Sequence, residues 1–326
     1  MLFLVLSTSI IVGIIGSAAR SPSSSCCTNV INVMEIFSPA YPVNGTCFLT
    51  LNELIETSNK DECDKKEFVF HQGSYVINGS KHRRSVSLLF TYSEHLIVRG
   101  ITNVIIKCVG SHKIKLTRSR NISIHNLQFQ DCNNILIQSS HKHKTIEIAN
   151  SNFSGSCLEF YFRNTSDYTA LVKFKSTTID RCNCTNETIL YFGTPQTVRF
   201  VVKLHAVNVT DNYSPLIRSS FNLHVILEGH NSFHNNRGFV VHLANSKLSF
   251  TGAEVSFTDN SSPIHVEDST ITFEDSYVVF NENQGSLSDW QCGGITATER
   301  TQLQFKDNVT VKFTNNKGLY LSLIHI

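Results

Sequence analysis

Lys173, Lys175, Lys203 and His205 occupy alternate positions in two similar stretches, Val172-Lys-Phe-Lys175 and Val202-Lys-Leu-His205. In an extended chain alternate side chains share a face. Each stretch therefore projects two basic groups from one surface, and two such surfaces side by side would grip a carboxylated or sulfated glycan through charge and hydrogen bonds. A solvated basic face partly neutralised by Glu147 accounts for the same residues without a ligand. Other chemistry-bearing groups read more blandly. His141-Lys-His143-Lys144 has two metal-ligating side chains, but at i, i+2 in a polar turn they read as exposed loop. Lys81-His-Arg-Arg84 is either a processing site or an exposed basic turn, and Trp290 either stacks on a sugar or packs over Gly293-Gly294. A phosphate loop, a zinc-spaced Cys/His set and a nucleophile elbow are all missing from the sequence, so no cofactor and no metal is expected. With a net charge of +2 and 17% charged residues, nothing points to nucleic acid as a partner.

The elements that must position these side chains repeat. An apolar-x-apolar strand is followed by a second strand ending in an apolar residue, with Asn or Cys three positions on. Leu248-Ser-Phe250, Val255-Ser-Phe257 and Asn260 make one copy, and Ile271-Thr-Phe273, Val278-Val-Phe280 and Asn283 the next. First strands starting at Ile122, Ile146, Val172, Val202, Val225 and Leu303 fit the template, with second-strand apolar residues at Phe129, Phe153, Ile179, Val209, Phe233 and Phe313. Self-similarity at about two dozen residues means a solenoid, and period-2 alternation sends one face of each strand into a shared core. Abundant Phe, Ile, Val and Thr, low Pro and low Met agree with an all-β chain.

The turn after the second strand holds Cys108, Cys132, Cys157 (one residue late), Cys182, Asn212, Asn236, Asn260, Asn283 and Asn316. Asn suits a left-handed turn, and its side chain can bond backbone or the Asn one coil away. Neighbouring coils about 4.8 Å apart lie inside the disulfide window. Cys108–Cys132 and Cys157–Cys182 are therefore expected as disulfides, with stacked reduced thiols as the alternative.

The N-terminal part differs. Residues 1–19 are apolar and end in small side chains, as in a cleaved signal peptide. Residues 20–67 read as a Cys-rich cap in which Cys26, Cys27, Cys47 and Cys63 allow three pairings, and the capping box Thr50-Leu-Asn-Glu53 starts a short amphipathic helix that plugs the solenoid. Residues 68–320 form the solenoid, and residues 321–326, Leu-Ser-Leu-Ile-His-Ile, match a translated sequencing-adapter end. On this reading the native chain runs on, and a C-terminal anchor beyond residue 320 would be its only route to a membrane. Sequons at Asn44, Asn78, Asn121, Asn152, Asn164, Asn186, Asn208, Asn260 and Asn308, together with ten cysteines, point to a secreted or cell-surface glycoprotein. Sequons also begin at Asn183 and Asn212, in poor contexts.

Phe233-His-Asn-Asn236, Phe257-Thr-Asp-Asn260, Phe280-Asn-Glu-Asn283 and Phe313-Thr-Asn-Asn316, with Gly293-Gly294-Ile295, resemble the two signature motifs of chlamydial polymorphic outer membrane proteins and of large extracellular β-helix proteins of sponges and other invertebrates. The segment Phe68-Val-Phe-His-Gln-Gly-Ser-Tyr-Val-Ile77 resembles the first coil of pectin-lyase-like folds. The resemblance implies a right-handed parallel β-helix and an adhesive or surface role, with extracellular glycans or proteins as partners and no catalytic residue carried over. The alternative is a polysaccharide lyase or hydrolase of the pectin-lyase-like fold, which needs acids or bases converging from neighbouring coils. The outward first-strand positions Ser123, Glu147, Lys173, Lys203, Ile226, Ser249, Thr272 and Gln304 bring together no two carboxylates.

Overall fold

The structure, a computed structural model, describes residues 28–33, 55, 63–78, 88–110, 113–139, 144–162, 168–184, 188–193, 198–285 and 292–317. Alternation drives the local conformation: Val198–His205 reads buried at Val198, Phe200, Val202 and Leu204 and more open at the residues between. Every strand pairs in parallel with its counterpart one coil on, so the apolar rows become columns and the chain winds as a parallel β-solenoid.

Each coil contributes to three sheets. The first runs from Thr28–Val33 and Lys65–Phe70 through residues 95–99 and 121–125, Lys144–Ala149, Tyr168–Lys175 and Val198–His205 to Thr270–Glu274 and Gln302–Lys306. The second runs from Gly73–Asn78 through Asn152–Ser154 and Asn208–Thr210 to Thr310–Thr314. The third runs from residues 88–91 through Leu158–Phe162 and Phe239–Ala244 to Ile295–Thr298. The register equates Ile122, Ile146, Val172, Val202, Val225, Leu248, Ile271 and Leu303, as the repeat template requires.

Inside, identical side chains stack. Phe233, Phe257, Phe280 and Phe313 form one column with ring centroids 4.8, 4.9 and 4.9 Å apart and planes within 10°. Phe250, Phe273 and Phe305 form another at 4.7 and 5.2 Å. These spacings are the inter-strand spacing itself, so each ring keeps a near-parallel neighbour; five of the rings are fully buried, and Phe305 and Phe313, in the last described coil, are about half exposed.

The turn column is a buried hydrogen-bond ladder. The backbone N–H of Asn212 donates to Asn236 Oδ1 (3.3 Å), Asn236 to Asn260 (3.1 Å), Asn260 to Asn283 (2.9 Å) and Asn283 to Asn316 (3.0 Å). The side-chain amides of the first four donate to the same oxygens, and each of the five also donates to the backbone carbonyl of an apolar residue in the preceding coil, as Asn260 does to Phe233 (2.9 Å). Contrary to expectation, the left-handed residue is the one before each ladder Asn: Asp211, Asn235, Asp259, Glu282 and Asn315 have φ of 55, 50, 54, 55 and 53°. That residue reverses the chain, and the Asn behind it is thereby turned inward, where only a side chain that both donates and accepts satisfies the corner.

Two further expectations change at this corner. Cys108 joins Cys132, but Cys157 joins Cys184 across a Cα separation of 5.9 Å, and not Cys182. The residue in register with the ladder in that coil is Ser156, behind Gly155 (φ 58°), and Ser156 Oγ accepts the Cys132 N–H at 3.0 Å. Cys157 falls one residue beyond the column and meets Cys184, whereas Cys182 points inward, donates to the Ser156 carbonyl at 3.1 Å, and keeps a thiol that burial pushes up to about 12. The sequon at Asn260 is the other correction. Its amide is fully buried and committed to Phe233 and Asn283, leaving no nitrogen for a glycan.

Of the expected cap helix only Ile55 is described, helical and buried against the core; Cys26, Cys27 and Cys47 lie outside the described residues, and Cys63 is half-buried. Thr28–Val33 already pairs with Lys65–Phe70, so solenoid pairing begins within the segment assigned to the cap. The expected signal peptide, residues 1–19, and the adapter-like residues 321–326 lie outside the described residues, as do Asn44, Asn164, Asn186, Trp290 and His141-Lys-His143.

Candidate functional site

Tyr168–Lys175 and Val198–His205 are neighbours in the first sheet, and their register places Lys173 opposite Lys203 and Lys175 opposite His205. Four basic side chains thus occupy a two-by-two patch, because Val172, Phe174, Val202 and Leu204 take the inward positions and are fully buried. Lys175 and His205 are exposed, while Lys173 and Lys203 are half-buried. The His205 ring lies over Gly229, where a Cβ would come within 2.8 Å of it, so the bare glycine (φ 64°) makes room for the imidazole.

The acid that neutralises part of this patch differs from the one expected. Glu147 is the register neighbour of Lys173, but the ion pair forms on the other side, where Lys203 Nζ donates to Glu228 Oε1 at 2.6 Å. Both partners are about one-third exposed. A pair so open to water contributes roughly 0.2–1 kcal/mol, so a polyanion can recruit Lys203 at little cost. Further along the same face Ser249 and Thr272 are buried, and His224 Nε2 lies 2.9 Å from Ser249 Oγ, so the outward face closes up beyond the basic patch.

A pair of acids from neighbouring coils does occur, at a corner and not on a strand. The Asp268 and Glu299 carboxyls influence each other, and Arg300 Nε donates to Asp268 Oδ1 at 2.8 Å. The Arg300 bond holds the Asp268 carboxyl below its usual range, while Asp268 pushes Glu299 up.

The second sheet carries an open groove of about 320 Å³ lined by His230, Asn231, Glu254, Ser256 and Tyr277, with His230 Nδ1 2.9 Å from Glu254 Oε2. The exposed sequon Asn208 also lines it, so a glycan on Asn208 would lie across the groove. Asn308 is likewise exposed, and Asn121 and Asn152 are half-buried on outward positions.

The repeat reading followed the first two strands of each coil and so missed a cluster on the third. His242 and His265 are register partners on neighbouring coils, and Glu267 stands two residues beyond His265 on the same face. Their ligand-type atoms all lie within 4.8 Å of one another. This cluster departs from the expectation of no metal-ligating set; the sequence signal was two histidines one coil length apart. Among the described residues no helix is long and apolar enough to cross a membrane. No family model matches the chain, and neither a curated protein nor a solved structure matches it.

Proposed function

We propose that the chain is a non-catalytic, secreted or cell-surface right-handed β-helix glycoprotein, of the pectin-lyase-like kind, that presents its strand faces for recognition of acidic extracellular glycans or of proteins carrying them. Right-handed winding follows from the rule for parallel crossovers. Two disulfides support an oxidising compartment.

The observation that carries the reading is the register of Lys173, Lys175, Lys203 and His205, four basic groups on two adjacent coils with a single exposed ion pair among them. Successive rungs about 4.8 Å apart offer charges along the coil-stacking direction to an extended polyanion, and the contact is electrostatic, so salt weakens it. The test is retention on heparin and on polygalacturonate. The Lys173→Ala/Lys175→Ala double variant should elute at markedly lower salt than the wild type. Equal elution of the two proteins would remove the patch from the account.

A further inference from the structure

We propose that His242, His265 and Glu267 form a zinc(II) site on the outer face of the third sheet, with two imidazoles and one carboxylate as protein ligands and a fourth position open to water or to a partner's side chain. The three residues are placed by the coil register alone: Phe239–Ala244 and Ser262–Glu267 lie side by side, and His242 faces His265 directly. Val241, Leu243, Ile264 and Val266 take the inward positions and are buried, which fixes the histidines and Glu267 on the outside of the same two strands.

The geometry converges on one point. His265 Nε2 lies 2.8 Å and His242 Nε2 3.8 Å from the same oxygen, Glu267 Oε1, and the two rings meet edge to face with centroids 4.7 Å apart. Ligand atoms around a tetrahedral zinc with bonds of about 2.0–2.1 Å stand roughly 3.3 Å apart, so the two separations to Glu267 lie on either side of what the ion needs, and with all three groups within 4.8 Å of one another side-chain rotation closes the rest. As it stands the trio is held by one good hydrogen bond, His265 to Glu267. The Nδ1 atoms of both rings are buried without a partner and stay so when Nε2 takes the ion, so the site lacks the usual outer support and its affinity is correspondingly lower.

The surroundings favour neutral imidazole, the ligand form. Phe239 packs against both rings at 4.9 and 5.5 Å and takes them out of water. Arg218, the register partner of His242 one coil earlier, opposes a cation; the Glu267 carboxylate, 3.8 Å from His242 Nε2, offsets it. A set of two imidazoles and one carboxylate suits a borderline ion such as zinc better than calcium, which prefers all-oxygen shells. Three protein ligands leave a coordination position free, the pattern of an open site.

The experiment is zinc titration by calorimetry and elemental analysis of the full chain, first stripped with chelator. We expect an ion whose retention depends on this cluster: His242→Ala and His265→Ala each weaken its binding by roughly tenfold or more. His224→Ala and the double variant His141→Ala/His143→Ala should leave it unchanged. Cobalt(II) in the same site should give the visible bands of a tetrahedral ion, lost in both cluster variants. Undiminished zinc binding in both cluster variants, or no zinc binding by the wild type, would overturn the proposal. If either histidine variant fails to fold, Glu267→Gln, close in shape, decides: weakened binding supports the site and unchanged affinity refutes it.

Discussion

At the scale of single residues the ladder asparagines do two jobs that no apolar side chain can. Asn260 Oδ1 accepts from both nitrogens of Asn236, while its own amide satisfies the Phe233 carbonyl and Asn283. Asn260→Ala would strand buried donors and an acceptor together, and should lower unfolding free energy by roughly 2–3 kcal/mol in denaturant titration. Asn260→Asp keeps the acceptor but sets a buried carboxylate against two oxygens. Its folded-state pKa is therefore raised, and the deficit should shrink as pH falls, the opposite of an ordinary surface acid. Titration of His224 and His242 has its own signature. Burial lowers both from 6.5 to about 4, so between these values the unfolded chain binds more protons and stability rises with pH. Chemical denaturation in chelating buffer should show this loss between pH 6.5 and pH 4; a flat profile there would argue that the rings are solvated. In the basic patch, Glu228→Gln releases Lys203 and should raise the salt needed to elute the protein from heparin, and a decrease would contradict the pairing.

At the scale of the strand and the turn, much of the structure was legible because each coil repeats one decision. Alternation in Val172-Lys-Phe-Lys175 sets which side chains go inward, and a recurring turn residue sets the coil length, so the equivalence of Lys173 with Lys203 followed from counting. The motif residues then acquire physical roles: the Phe of Phe-x-x-Asn is the stacked core ring and its Asn the ladder rung. Gly293 and Gly294 are bare because a Cβ on Gly293 would strike the Asn283 carbonyl and one on Gly294 would come within 2.7 Å of the Phe313 ring. Gly294→Ala should accordingly destabilise the last described coils, seen as faster amide exchange in Gln302–Lys306 and Thr310–Thr314. Counting put Cys157 one residue late in the turn but did not show that this takes it out of the column and changes its partner. A one-residue offset separates Ser156, in the ladder, from Cys157, outside it, and Cys157 accordingly meets Cys184, two residues past the ladder position Cys182. The His242–His265 pair escaped for a related reason: the third strand carries no Phe-x-x-Asn marker, so its register was not followed from coil to coil.

At the scale of the whole molecule the coil register governs everything else. It aligns the Phe columns, closes the Asn ladder, sets Lys173 beside Lys203, brings His242 to His265 and determines which cysteines meet. Of the described sequons, Asn208 and Asn308 leave their side chains open to solvent, whereas an asparagine that enters the ladder, as Asn260 does, has its amide consumed by it. A slip of one residue would turn every strand inside out, so the register is also the most exposed point of the account. Peptide mapping of the non-reduced protein tests it directly. The stacking requires linked peptides containing Cys108 with Cys132 and Cys157 with Cys184, and a Cys182 thiol that alkylates only after unfolding. A Cys157–Cys182 link, or a Cys182 that alkylates in the native protein, would contradict it.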